Sequence, residues 1–372
     1  MSSLSGLEER PQSQSEKKIM RKNLTLLAIL GSLAVAIIVS AGSFSHAAAP
    51  APGPSGYHVI KSIPIPGEGG WDYVTVDSDA RRIYVSHATQ VVVLDADSFA
   101  IVGTIPDTQG VHGIAIASDL GRGFTSNGRS NDVTIFDLKT LKSIGTVKTD
   151  VNPDAILYEP VSKRVFTFNG GSRTVGGGKN ATAINAADGT VLGTIDLRGK
   201  PEFAAADGKG SVFANNEDSS ELHHIDAAGL KELHHWPLAP CKSPSGLAMD
   251  VKNRRLFSVC DEKVMAVVNA DTGKVVATPA ICDGPDATAF EPSTGTVFAS
   301  CGDGILTVIH QDSPDKYTVV ENVPTKKSAR TLGLDLKTHN IVLPAADFDP
   351  PAPGERRGKM KPGSFVLLVV GK

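Results

Sequence analysis

WDYVTVDSDARRIYVSH, residues 71–87, decides the fold, because the chain says the same thing again and again. The echoes are VHGIAIASDLGRGFTSN (111–127), PDAILYEPVSKRVFTFN (153–169), PSGLAMDVKNRRLFSVC (244–260) and PDATAFEPSTGTVFASC (285–301). Each is an alternating apolar stretch, a polar turn, and a second apolar stretch that ends on a small, polar or sulfur residue. A third stretch such as VVVLD or VTIFD follows, then a turn such as ADTGK, then a fourth stretch such as SIGTV. Four short strands per unit, repeating every forty residues or so, are the pattern of a β-propeller blade.

Asp72, His112, Asp154, Glu202, Ser245, Asp286 and Arg330 hold the same place in successive units, which makes seven. The widest gap, from Asp154 to Glu202, contains the Gly-rich insertion Gly170–Gly178. The last unit has three strands, TLGLDL, NIVLPA and SFVLLVVG, and lacks the fourth. A surplus strand, HVIKSIPI (58–65), precedes the first unit. The expectation is an all-β, seven-bladed propeller closed by this N-terminal strand, which completes the last blade and removes two open sheet edges.

Lys17, Lys18, Arg21 and Lys22 precede an apolar run from Leu24 to Val39, and Ser45-His46-Ala47 places small residues where a signal peptidase reads. Residues 1–47 therefore read as a secretory signal, with an uncleaved anchor as the alternative. Met20-Arg21-Lys22 would be a usual start for such a segment. Residues 48–56, rich in Ala, Pro and Gly, read as a flexible leader. Residues 57–372 then form one propeller domain. Roughly 325 residues are too many for a single compact core but not for a ring of stacked blades. The stretch Pro351–Pro362, with its Pro, Gly and charged residues, reads as a mobile loop of the last blade.

A net charge of −3 offers no basic field for nucleic acid. The composition fits a periplasmic or extracellular protein, with no membrane span once the signal is removed. It also fits a monomer.

The motif IYVSH, the following V-V-L-D and the D-x-x-x-G turn resemble the YVTN-repeat β-propeller family of exported bacterial and archaeal proteins. The resemblance covers about Tyr57 to Gly371 and implies the fold. Such propellers serve as binding platforms, as surface-layer components and as relatives of redox-enzyme domains, so it implies no single function. The chain departs from the family pattern where the second strand ends in Cys260 and Cys301 instead of Asn, and around Asn340.

The four cysteines obey the repeat. Cys241 and Cys282 precede the first strands of units five and six, and Cys260 and Cys301 end the second strands, with one offset between the pairs. An antiparallel blade sets the start of its first strand beside the end of its second. Two disulfides, Cys241–Cys260 and Cys282–Cys301, are the expectation for an exported chain. A four-thiolate metal site is the alternative.

The same rim gathers polar residues. First-strand starts supply Asp72, His112, Asp154, Glu202, Asp286 and Arg330, and second-strand ends supply His87, Asn127, Asn169 and Asn216. We expect these to converge at the channel mouth as a site for a small polar ligand or a cation. Asp72, His87 and His112 would suit a transition metal. Polar residues also recur at strand ends simply to satisfy backbone groups. His223-His224 and His234-His235 read as exposed outer-strand histidines, with a surface metal clip between His223 and His234 as the alternative. GGSRTVGGGKN from Gly170 lacks the Ser or Thr after Lys179 and the following helix that a phosphate loop needs, so it reads as a long flexible loop. No nucleophile elbow, zinc-protease or haem-attachment motif occurs.

Two functions follow. The first is an exported binding or scaffold propeller that takes a protein, a glycan or a small polar ligand at the channel mouth, with no cofactor. The second is a metal-assisted hydrolase or lyase, lactonase-like, using a divalent cation and a histidine at the same face.

Overall fold

Seven four-stranded antiparallel sheets make up the described protein. The computed structural model describes residues 53–372 except Arg173, Val175, Pro353, Arg356 and Arg357; residues 1–47, read as a secretory signal, and leader residues 48–52 lie outside the described residues. The one helical turn among the described residues is Ser118–Leu120. None of them forms a helix long and apolar enough to cross a membrane.

The inner strands are Val74–Asp77, Val111–Ala117, Pro153–Glu159, Pro201–Ala206, Pro244–Asp250, Pro285–Glu291 and, in the degenerate blade seven, Gly333–Leu334. Blade seven is built from both ends of the chain. His58–Pro64 lies antiparallel to Val366–Gly371, with His58 opposite Gly371 and Pro64 opposite Val366.

Local chemistry punctuates the blades. In blades one to five the third strand ends on Asp or Asn, whose side chain accepts backbone N–H groups of the turn that follows. Asp137 takes Lys139 and Thr140, and Asn269 takes Asp271 and Thr272. Such side chains replace the missing strand partners at a turn.

The core is divided like the ring. Seven apolar clusters sit at the seven blade–blade junctions, including that between blades seven and one around Trp71, Leu94, Val342 and Phe365. The middle of each second strand drives one of these: Tyr84, Phe124, Phe166, Phe213, Phe257 and Phe298 recur at one place in the repeat, all fully buried. Truncating such a ring to Ala costs about 3–5 kcal/mol.

Two segments read as flexible are anchored at their ends. Leader residues 53–56 close a turn (Gly56 N–H to Gly53 O, 3.0 Å), and the Ser55 N–H donates to Glu321 of blade six at 2.9 Å. The loop of blade seven has a paired stem: Asp349 N–H bonds Lys359 O, and Lys361 N–H bonds Asp347 O, both at 2.8 Å. Phe348 and Met360 of that stem pack on the Trp71 cluster.

Candidate functional site

In five blades the start of the inner strand is pinned by the preceding blade. Thr331 of blade seven donates to the Asp72 carbonyl at 2.6 Å, and Ser300 of blade six to the Arg330 carbonyl at 2.6 Å. Asn215 reaches the Ser245 carbonyl at 2.9 Å, and Ser245 the Pro285 carbonyl at 2.9 Å. Ser126 bonds the Asp154 carbonyl. A short polar residue near the end of the second strand (Ser126, Asn215, Ser300) or at the start of the first (Ser245, Thr331) thus fixes the first residues of the next blade, and the side chains projecting there face the channel from fixed backbones.

Those side chains form one network. The Nδ1–H of His112 donates to Asp72 Oδ2 at 2.6 Å, and Arg330 Nη2 donates to Asp72 Oδ1 at 2.8 Å. The other guanidinium nitrogen of Arg330 pairs with Asp286. His112 Nδ1 lies 3.6 Å from Asp154 Oδ1. Lys200 pairs with both Glu202 and Glu217. All of these except His112, which sits at the adjoining hollow, line a cavity of about 270 Å³, with Tyr73, Ser243, Ser245, Asp261 and Pro285. Six carboxylates face two cations in it. Beneath, the Tyr73 ring of blade one meets the Phe203 ring of blade four edge-on, 5.0 Å apart at 74°. The two rings meet across the channel, and Tyr73 also lines the polar cavity.

The crowding of charge shifts protonation. Burial would depress the His112 imidazole, but Asp154 and Asp72 outweigh it and raise it to about 9. Burial acts to raise Asp72, yet the His112 hydrogen bond and the Arg330 charge hold it below the usual carboxylate range. Asp154 is raised by burial and by Asp72, against the pull of His112. Burial and the Asp154 charge push Glu202 well up, against Lys200. Asp261 is raised by burial and then by Glu217, Glu262 and Asp283. The mouth therefore holds carboxyl groups of unequal protonation side by side.

The residues singled out in the sequence separate into two sets. Asp72, His112, Asp154, Glu202, Asp286 and Arg330 gather as described. The second-strand ends do not face the channel. Asn127 is fully buried and donates to Asp132 and Thr134; Asn169 donates to Asn180 and Thr182; Asn216 donates to the Leu197 carbonyl at 2.8 Å. His87 is 1% exposed and stacks on Phe365 at 4.6 Å. The reason is the loop that crosses from the outer strand of one blade to the inner strand of the next. It covers the end of the second strand, so the buried amide bonds third-strand side chains in blades two and three and the loop's Leu197 carbonyl in blade four. The donor atoms that do lie together, within 4.8 Å of one another, belong to Asp72, His112 and Asp154. Asp154 takes the place in that trio that the sequence suggested for His87.

Cys241 is bonded to Cys260 and Cys282 to Cys301, with Cα atoms 5.5 and 5.8 Å apart. The sulfurs are spent as bridges, not thiolates. On blade four the expected exposure fails for His223, which is fully buried and donates from Nδ1 to Glu232 at 2.6 Å. A bulge between His224 and Ile225 sets His223 opposite His235, and His224 opposite His234.

Lys200, Glu217, Asp261 and Tyr73 were missed. A signal existed for two of them. The residue after each second strand is Ala88, Gly128, Gly170 and Gly302 in four blades, but Glu217 and Asp261 in two. A charge at a place otherwise held by Ala or Gly marks a site.

No protein-family model and no curated protein matches the sequence. Solved structures do. The WD40 repeats of RRP9 are 11% identical at a TM-score of 0.69, covering 86% of this chain and 98% of that one. A chain of the mitotic checkpoint complex is 13% identical at 0.69, covering 85% and 92%. A chain of Kuenenia stuttgartiensis hydrazine synthase is 16% identical at 0.62, covering 77% and 94%. At these identities the likeness concerns the fold: the chain is a seven-bladed propeller similar to WD40 propellers.

Proposed function

We propose that this is an exported binding propeller whose channel mouth takes a small polar ligand bearing a positive charge. The observation that carries the reading is the ratio of six carboxylates to two cations around one cavity of about 270 Å³. Clustered carboxylates in a concave, partly desolvated site attract ammonium or guanidinium groups. Tyr73 adds an aromatic surface at the floor, where a cation gains further. The cavity volume lies near the lower end of small-molecule pockets, ~300 Å³, so the ligand is an amino-acid-sized molecule or one side chain of a larger partner. Two disulfides fit an oxidising compartment, which supports export. A propeller of this fold sits within the mitotic checkpoint complex, and a scaffold role with a protein partner over the same face is consistent with that.

Calorimetric titration with putrescine in the presence of a chelator tests the reading. Saturable binding that is lost in Asp286→Asn and weakened by salt is expected. Equal affinity for putrescine and for an anion such as citrate would overturn it. The second reading, a metal-assisted hydrolase or lyase, is favoured by the grouping of Asp72, His112 and Asp154. Lactone hydrolysis that appears only with added divalent metal would select it.

A further inference from the structure

We infer that Asp72, His112 and Asp154 form a three-donor site for a divalent first-row metal ion, with Zn²⁺ the natural probe. The inference rests on the channel mouth being the binding face, but not on an organic cation being its occupant. The three residues hold one place in three consecutive blades. Their donors, one imidazole nitrogen and two carboxylate oxygens, lie within 4.8 Å of one another. A single ion at about 2.0–2.2 Å from each donor spans such a group.

An independent observation points to a missing partner. Asp154 is 9% exposed, it lines the cavity, and its Oδ1 has no hydrogen-bond partner. A buried carboxylate oxygen left without a donor is costly, and folded proteins rarely leave one so. That oxygen is the one nearest His112 Nδ1. A cation between them would satisfy it.

The surroundings hold the donors in place. Arg330 occupies the other oxygen of Asp72 at 2.8 Å. Tyr73 lines the same cavity beside Asp154. The far edge of the His112 ring lies against Gly128, where an added Cβ would stand 2.6 Å from Nε2. Outer partners of this kind orient metal ligands and sharpen affinity. One nitrogen and two carboxylates match a borderline first-row ion, whereas Ca²⁺ requires six to eight oxygens. Two carboxylates balance the double charge once His112 gives its Nδ1 proton to solvent. Three protein donors leave the remaining coordination position open to the cavity.

The test uses untagged protein, stripped with chelator and dialysed, then titrated with ZnCl₂ by calorimetry and with CoCl₂ by visible absorption. One equivalent per chain is expected. His112→Gln and Asp154→Asn should each weaken binding roughly tenfold or more. His234→Gln, on the histidine-rich outer edge of blade four, should bind as the parent does. Circular dichroism checks each fold. Should one variant fail to fold, the other carries the test, together with the Co²⁺ band, which shifts when an imidazole leaves the ion. No saturable binding, equal binding by His112→Gln, or loss in His234→Gln instead would overturn the inference. The putrescine titration contains chelator, so its outcome is read separately.

Discussion

Asn216 donates from its side-chain amide to the carbonyl of Leu197, 19 residues upstream, at 2.8 Å. In blades five and six the same two points are joined by disulfides, each across a separation of 19 residues. One mechanical task, pinning the incoming loop to the end of the second strand, is done by an amide in blade four and by sulfur in the next two blades.

Non-reducing peptide mapping should return Cys241–Cys260 and Cys282–Cys301 and no free thiol. Each bridge closes a loop whose chain-entropy value is ~3 kcal/mol, so Cys260→Ala or Cys301→Ala should lower stability by about that much. Asn216→Ala should cost less, about 1–3 kcal/mol, through the carbonyl left unbonded. Denaturant titration reads both. A larger loss in Asn216→Ala than in either cysteine variant would contradict the shared role.

The repeat carried most of the fold because its period is physical: six blades bury a ring in mid-strand and five turn on an Asp or Asn after the third strand, so Phe124 and Asp137 advertise themselves. The Asp72 to Arg330 series was legible for the same reason. Which residues face the channel was not. His87 and His112 look alike as letters, but one is covered by the crossing loop and stacks on Phe365, while the other meets Asp72 and Asp154. The difference is tertiary. Tyr73 shows the same limit: nothing in WDYVTVD tells that its ring finds Phe203 three blades away.

Removing residues through Gly67 should sharply lower the melting temperature. Those residues supply the outer strand of blade seven and Ile65, which is buried in the cluster with Trp71. Their loss exposes the Val366–Gly371 edge. Calorimetry on the shortened chain, set beside a chain starting at Tyr57, checks this; equal melting temperatures would refute it.

Stability should fall in mild acid through the buried histidines. Burial pushes His87 down, against the Gly67 and Gly70 backbone and the Glu68 charge. His223 and His224 are likewise pushed down by burial. A folded-state pKa below the unfolded value means that unfolding takes up a proton. The contribution is therefore intact above about pH 6.5 and is lost as the pH falls through that value. His87→Asn, which installs the residue found at that place in blades two to four, should show a smaller drop in melting temperature between about pH 7.5 and about pH 5. An identical drop would exclude His87 as a contributor.

Gly128→Ala should disturb the mouth without removing a charged group. The new Cβ would meet His112 Nε2 at 2.6 Å and Asn152 Oδ1 at 2.5 Å. Overpacking of this kind costs about 1–3 kcal/mol. The imidazole must tilt, so Zn²⁺ binding should weaken along with stability. Thermal melts and calorimetry on one preparation test both, and a variant equal to the parent in each would show that the ring has room to spare.

The edge-on meeting of Tyr73 and Phe203 joins blade one to blade four directly across the channel, without passing through the blades between them. A displacement of either inner strand would then reach the far side of the ring in one step. A macromolecule seated over one side of the rim would be felt by a small guest held on the other, so two separate binding events on this face would be coupled.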